Sequence, residues 1–120
     1  MTVNLKFEGK KISKKHMGVL WKENFVDKPM SDNIKAYNVS KEEFFRIKHE
    51  VTLDKEGVER KEFKEYGSIG NEEGVTAFVL PYEDGYLIFR RIDSCYSKDS
   101  DLLHELRHIY NGDAEKWLRF

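Results

Sequence analysis

Two apolar runs on either side of a short turn constrain the fold of this chain more than any other feature. The runs are residues 75–80 and 86–92, and both are rich in β-branched and aromatic side chains. Asp84 and Gly85 lie between them, and an Asp-Gly pair is typical of a tight β-hairpin. The spacing therefore predicts two antiparallel strands, whose apolar side chains have to be covered by other elements.

Two helices are predicted before this hairpin. Ser13 is a suitable N-cap for residues 14–24, in which apolar side chains recur at helical spacing. Ser40 and Glu43 form a capping box in front of a second set of apolar residues with the same spacing. Each segment combines an N-cap with apolar residues at helical spacing, so each predicts a helix.

A third helix is predicted after the hairpin. It begins near Asp99 or Ser100 and runs to about Tyr110, where Asn111 and Gly112 favour a left-handed end. Residues 113–120 are predicted to form one more helical turn.

Four other segments carry weaker signals. Residues 3–7 alternate apolar and polar side chains, which predicts a half-buried strand. Residues 27–33 predict a loop, and residues 67–74 are rich in turn-forming residues. Residues 58–66 fit either an exposed helix or an irregular strand.

The order of these elements predicts a single α+β domain over residues 1–120. Helices and strands are interspersed without a repeated βαβ unit, which favours a short, twisted, mixed sheet with helices packed on it. A chain of 120 residues has room for one domain. Only 39% of the residues are hydrophobic, but 13% are aromatic and bury a large area each, so the chain can form a core.

The charge and cysteine content exclude several classes of protein. The 21 basic and 22 acidic residues give a net charge of −1, which provides no overall field for nucleic acid or an anionic membrane. Cys95 is the only cysteine, so an internal disulfide and a cysteine-only zinc site are excluded, and we expect its thiol to be buried.

Residues 1–11 contain no apolar signal segment, and the longest apolar runs are too short to span a bilayer. We therefore expect a cytoplasmic protein.

The third predicted helix carries the pattern H-E-x-x-H at residues 104–108. On a helical wheel, with about 100° per residue, the apolar side chains of this segment share one face. His104 and His108 lie together on roughly the opposite side, with Glu105 beside them. Side chains at i and i+4 are neighbours on a helix, so two imidazole nitrogens can converge on one Zn²⁺ ion.

Glu105 is predicted to have a different task from the histidines. It lies one position along the helix from His104, where it does not share the ligating geometry of the pair but can hold a water molecule beside the metal. Zinc lowers the pKa of a bound water to about 7, and a carboxylate can take the proton released during attack on a carbonyl group. These residues predict zinc-dependent hydrolysis of peptide bonds. A solvated helix face that binds no metal is the alternative.

Residues 102–109 resemble the active-site helix of the zincin metallopeptidases, and the hairpin of residues 75–92 is similar to their sheet edge. Among small zincins, the segment looks like that of the ImmA/IrrE-type proteins and related minimal zinc peptidase domains. The resemblance implies a small zincin-like domain in which His104 and His108 are zinc ligands and Glu105 is the general base. It also implies that the strand at residues 75–80 receives a peptide or protein substrate as an added strand.

A catalytic zinc site takes three protein ligands and leaves one position open. Asp113 is the favoured third ligand, because the turn after the helix can bring it back towards the histidines. Glu115 is an alternative. An upstream residue such as His16 or His49 would serve if neither carboxylate reaches the metal.

Three further residues are candidates for contacts with the substrate. Tyr86, Arg107 and Tyr110 each carry a donor suited to the negative charge that develops on an oxyanion. A second hypothesis for the whole chain is a zincin-like domain that regulates or binds other proteins without cleaving them, with or without a metal. Neither hypothesis predicts the oligomeric state.

Overall fold

A mixed sheet of four strands forms the centre of the structure, a computed structural model that describes residues 5–31, 33–52, 75–116 and 119–120. The strands are β1 (Lys10–Ile12), β2 (Ile34–Val39), β3 (Ala77–Tyr82) and β4 (Gly85–Arg91). Their order across the sheet is β1-β2-β4-β3. β2 and β4 run parallel, whereas the β1–β2 and β3–β4 pairs are antiparallel. With the helices described next, this sheet confirms the predicted α+β class.

β3 and β4 form the predicted hairpin. Tyr82 pairs with Gly85, so the turn consists of Glu83 and Asp84, and Glu83 has a φ of 51°. Gly85 is required by a close approach of the chain at Asn33, just before β2, rather than by the turn itself. A Cβ at this position would lie 2.0 Å from the carbonyl oxygen of Asn33.

The described residues also form three α-helices and a 3₁₀ turn. They are α1 (Lys14–Asn24), α2 (Lys41–Thr52), α3 (Lys98–Tyr110) and the turn at Ala114–Lys116. A serine hydroxyl caps each α-helix by accepting a backbone N–H of the first turn: Ser13 from His16, Ser40 from Glu43 and Ser97 from Ser100. The first two predicted helices are confirmed, and the third begins slightly earlier than its sequence indicated.

The helices pack on both faces of the sheet. Met17 of α1 and Leu106 of α3 belong to the same apolar cluster as Ile88 of β4. Phe44 of α2 belongs to a second cluster, together with Phe89 of β4. Ile88 and Phe89 are consecutive and both are fully buried, because successive side chains of a strand point to opposite faces. The strand that precedes α3 is therefore buried on both sides.

A buried polar cluster fixes the N-terminal end of α3 to the sheet. Arg90 Nε donates to Asp101 Oδ2 at 2.8 Å, and only 11% and 6% of these side chains are exposed. The hydroxyls of Thr76 and Ser94 donate to the same carboxylate at 3.0 and 2.7 Å. Arg90 also donates to Asn38 at 3.1 Å. These hydrogen bonds connect α3 to β2, to β4, to Thr76 just before β3 and to the loop after β4, and they hold α3 in one position.

The prediction of a strand at residues 3–7 is wrong for residues 5–7, which are the part of this segment that the structure describes. Residues 5–7 lie outside any strand, and β1 begins three residues later. Phe7 instead contacts the rings of Tyr37 and Phe89 edge-on, at 4.7 and 5.0 Å between centroids. The apolar alternation of this segment therefore reflects packing on aromatic side chains, not strand pairing.

β2 was missing from the elements predicted by the sequence. Ile34 and Ala36 are buried on one face and Val39 on the other, with exposed or half-buried polar residues between them. The strand is fixed by its parallel register with β4, from Ile34 opposite Tyr86 to Val39 opposite Arg91. Pairing with a segment so distant in sequence leaves little trace in a local pattern.

Several smaller expectations have mixed outcomes. Cys95 is exposed, so the expectation of a buried thiol was wrong; it lies in the open connection between β4 and α3. The extra turn expected after α3 is a 3₁₀ turn at Ala114–Lys116. The segments predicted at residues 58–66 and 67–74 lie outside the described residues. None of the helices in the described ranges has the length and apolar character needed to cross a membrane.

Candidate metal centre

α3 places both histidines of the motif on its outer side. The ring centroids of His104 and His108 are 5.0 Å apart, and the rings are almost perpendicular at 85°. His104 is exposed, and 32% of the His108 side chain is exposed. Leu102 and Leu106 are fully buried and anchor the helix on the sheet. A firmly packed helix thus presents two neighbouring imidazoles to solvent.

The surroundings of His104 favour a neutral ring. Partial burial lowers the pKa of His104, and the neighbouring positive charges of His108 and Arg107 lower it further. The negative charge of Asp101 raises the pKa of His104, but this effect is smaller. A neutral imidazole keeps a lone pair for a metal ion, so this shift favours ligation at neutral pH.

Glu105 lies on the buried side of α3, whereas its sequence position suggested the side of the histidines. Only 5% of its surface is exposed, and the backbone amide of Val79 in β3 donates to its carboxyl group. Burial raises the pKa of Glu105 to about 8, and repulsion from Asp101 contributes to the rise, whereas the Val79 amide and Lys48 oppose it. A carboxyl group with such a pKa can gain and lose a proton close to neutral pH.

Asp113 is brought to His108 by the turn that ends α3. The amide of Asn111 donates to the carbonyl of Arg107 at 2.8 Å, and Gly112 has a left-handed φ of 81°. Asp113 Oδ2 then lies 3.2 Å from His108 Nδ1. The predicted third ligand therefore reaches the histidine pair through the ring of His108.

The two histidines fit a zinc ion as a pair of ligands. They supply imidazole nitrogens from one helical turn, with rings close enough to turn towards a common ion. Within the described part of the chain, no group of three or more His, Cys, Asp or Glu side chains is arranged to hold a metal ion. Glu115, the alternative third ligand, is exposed in the 3₁₀ turn. The described residues thus bring two imidazoles together without a third ligand beside them.

The residues expected to contact substrate are engaged in packing. The ring of Tyr110 stacks on Phe25 at 4.4 Å, and its hydroxyl donates to Asp27 at 2.6 Å. The Arg107 guanidinium lies 6.0 Å from the centre of the same Phe25 ring. Tyr86 is nearly buried, with 8% of its surface exposed. The observed role of Tyr110 and Arg107 is to hold α3 against the end of α1.

The upstream histidines considered as ligands lie on other helices. His16 is on α1, where its Nε2 atom is 2.6 Å from Asp99 Oδ1 in the first turn of α3. His49 is exposed in the last turn of α2. His16 therefore contacts the opposite end of α3 from the H-E-x-x-H motif.

Comparison with known protein families, with curated proteins and with solved structures found no match for this chain. The arrangement of His104, Glu105, His108 and Asp113 is therefore interpreted from its own geometry. That geometry combines an exposed imidazole, a half-buried imidazole, a buried carboxyl group and a carboxylate in contact with the half-buried ring.

Proposed function

We propose that this protein is a zinc-dependent metallopeptidase that hydrolyses peptide bonds and has a zincin-like fold of the ImmA/IrrE type. One observation carries the proposal: α3 presents two imidazoles one helical turn apart, and Glu105, directly after the first of them, is a buried carboxyl group with a raised pKa. The resemblance of residues 102–109 to the zincin active-site helix supports the same interpretation. In this proposal His104 and His108 hold zinc, and Glu105 is the catalytic residue.

Each of these residues has a task that its surroundings support. When bound, zinc supplies a Lewis acid that polarises a carbonyl group and lowers the pKa of water. His104 and His108 bind through ring nitrogens, and the lowered pKa of His104 keeps its ring neutral for that purpose. Glu105 accepts and returns a proton at its carboxyl group, for which its pKa of about 8 is suited near neutral pH.

The peptide is proposed to bind as an added strand along β3. β3 lies at one edge of the sheet formed by the described residues, and an edge strand carries backbone groups that an extended peptide can pair with. Part of this edge is already paired, because the amide of Phe120 donates to the carbonyl of Pro81 at 2.9 Å. The peptide would therefore use the stretch from Ala77 to Val79, in which the Val79 amide already donates to Glu105 and would have to exchange that partner.

Zinc binding and peptide cleavage together test this proposal. We expect the protein to bind one Zn²⁺ per chain and to cleave unstructured peptides. His104→Ala and His108→Ala should each weaken zinc binding by at least about tenfold, because each removes a ligand. Glu105→Gln should keep the zinc and lose cleavage by about 100-fold or more, because it removes only the proton acceptor. Elemental analysis, zinc titration and a library of fluorogenic peptides provide the measurements.

His49→Ala is the matched control, because it also removes an exposed imidazole from a helix but lies on α2. This variant should bind zinc and cleave peptides like the wild type. Cleavage that survives in Glu105→Gln would contradict the proposed role of Glu105. A wild-type protein that takes up no zinc would contradict the proposal as a whole.

Two observations favour a second candidate function, a zincin-like domain that regulates or binds other proteins without cleaving them, with or without a metal. The carboxyl group of Glu105 is turned into the protein and bonded to Val79, and the described residues supply two ligands rather than three. This alternative predicts that the wild type cleaves no peptide in the library, whether it binds zinc through His104 and His108 or binds no metal. The same experiment thus separates the two candidates.

A further inference from the structure

We infer that Asp113 is a positioning residue that fixes the ring of His108, so that Nε2 is the atom presented to a metal. The inference rests on the zinc site proposed above, and it assigns Asp113 a role other than the ligand expected from the sequence. Its starting point is the distance of 3.2 Å between Asp113 Oδ2 and His108 Nδ1.

The chemistry of this contact determines which ring nitrogen carries the hydrogen. An ionised carboxylate can only accept a hydrogen bond, so the Nδ1 atom of His108 has to donate. In the neutral ring the lone pair then belongs to Nε2. Histidines that bind metals commonly donate their other ring N–H to a carboxylate, which fixes the tautomer and the orientation of the ring.

The position of Asp113 is set by the backbone on both sides of it. Gly112 before it has a φ of 81°, a conformation that side-chain-bearing residues rarely adopt, although a Cβ there would meet nothing within 4 Å. Ala114 after it is fully buried in the apolar cluster that contains α1 and α3. Although 43% of the Asp113 side chain is exposed, its backbone is thus held in place beside His108.

The same geometry argues against direct ligation by Asp113. Nδ1 and Nε2 point to different sides of an imidazole ring, so an ion bound at Nε2 of His108 lies away from the carboxylate at Nδ1. Across the described ranges, Asp113 is not part of any three-residue group that could hold a metal. Asp113 is therefore placed to act on the ring of His108 and not on the ion.

Histidine ¹⁵N spectra of the metal-free protein test this inference without any dependence on zinc. At a pH where the rings are neutral, His108 should be in the Nδ1–H form in the wild type. Asp113→Asn should keep this form, because its amide oxygen can still accept the hydrogen bond. Asp113→Ala should shift His108 towards the Nε2–H form. Asp99→Ala is the matched control, since it removes another carboxylate that contacts a histidine, and it should change only His16.

Zinc titration of the same variants separates positioning from ligation. We expect Asp113→Ala to weaken zinc binding by about 10–100-fold, as is typical for partners of metal ligands. Asp113→Asn should retain most of the affinity, and Asp99→Ala all of it. Equal losses in Asp113→Asn and Asp113→Ala would show that Asp113 is a ligand and overturn the inference. An Asp113→Ala protein with an unchanged His108 tautomer would also overturn it. If the wild type binds no zinc, the proposed function fails, and the tautomer spectra still decide whether Asp113 fixes the ring.

Discussion

Glu105 is an ionisable side chain held almost entirely out of water, with 5% of its surface exposed. Burial disfavours the charged form of a carboxyl group, so the folded protein raises the pKa of Glu105 from 4.5 to about 8. Repulsion from Asp101, one turn earlier on α3, contributes to this rise. A residue with these properties lowers the stability of the fold whenever it is ionised. Carboxyl groups with such shifts are concentrated at functional sites.

In the metal-free protein, Glu105→Gln is expected to stabilise the fold at about pH 8 and to have little effect at about pH 4. The unfolded chain loses the Glu105 proton near pH 4.5 and the folded protein near pH 8, so between these values the folded state binds one more proton. The stability of the wild type therefore falls as the pH rises through this window, whereas glutamine does not titrate. The difference grows by up to about 1.4 kcal/mol per pH unit.

Urea unfolding at several pH values within this window measures the difference between the two proteins. Glu42→Gln is a suitable control, because Glu42 is an exposed glutamate in the first turn of α2. A stability difference between Glu105→Gln and the wild type that stays constant with pH would contradict the raised pKa.

α3 is fixed at both ends as well as along its buried face. Asp101 bonds to Arg90 at the N-terminal end, and Tyr110 stacks on Phe25 at the C-terminal end. Leu106, between them, is fully buried. A helix anchored in this way presents its outer side chains in one orientation. Preorganised side chains of this kind are what the proposed zinc site requires.

Asp101→Asn is expected to destabilise the protein by about 3–5 kcal/mol, because it leaves the nearly buried guanidinium of Arg90 without its negative partner. Urea unfolding near neutral pH measures the loss. Glu50→Gln is the matched control: it breaks the ion pair of Glu50 with Arg46, whose side chains are 42% and 39% exposed, and should cost less than about 1 kcal/mol. Similar losses in the two variants would mean that the Asp101–Arg90 pair does not anchor α3.

At the scale of the whole molecule, Phe120 contacts the hairpin of β3 and β4 through its backbone. Its amide donates to the carbonyl of Pro81 at 2.9 Å, and its carbonyl accepts the amide of Glu83 at 2.5 Å. Its side chain is 3% exposed and belongs to the same apolar cluster as Phe44 of α2. Arg119 donates to the carbonyl of Gly85 at 2.6 Å. Residues 119–120 therefore cover one end of the β3 edge and close the apolar cluster beneath it.

Phe120→Ala is expected to cost about 3–5 kcal/mol, because it removes a buried aromatic ring and leaves a cavity. The amide of Glu83 should also exchange faster with solvent, since its partner is the carbonyl of Phe120. Thermal or urea unfolding and hydrogen exchange provide the two measurements. Val26→Ala, at a side chain that is 84% exposed, should change the stability by less than about 0.5 kcal/mol. A loss as small as that of Val26→Ala would contradict the structural role of Phe120.

The sequence could predict those elements whose causes are local. Ser13 and Ser40 cap helices that follow directly, and the Asp84-Gly85 pair marks a hairpin between two apolar runs. The left-handed end of α3 at Gly112 is also encoded within a few residues. The same holds for the shared face of His104 and His108, which follows from helical spacing alone.

Glu105 shows where local pattern becomes insufficient at the candidate site. On a helical wheel it lies about 60° from His108 and about 40° from Ile109, so its spacing permits either the outer or the buried side. The amide of Val79 and the packing of α3 on the sheet decide for the buried side. The contact of Asp113 with Nδ1 of His108 likewise depends on how the turn folds back.

By itself, the sequence determined the three α-helices of the described residues, the hairpin and the pair of imidazoles one turn apart, because caps, turns and helical periods act over a few residues. Only the tertiary structure decided the parallel pairing of β2 with β4, the anchoring of α3 by Arg90 and Asp101, and the burial of Glu105. These features depend on contacts between segments far apart in the chain. Their free energy is gained only when those segments meet, so no local pattern of residues records it.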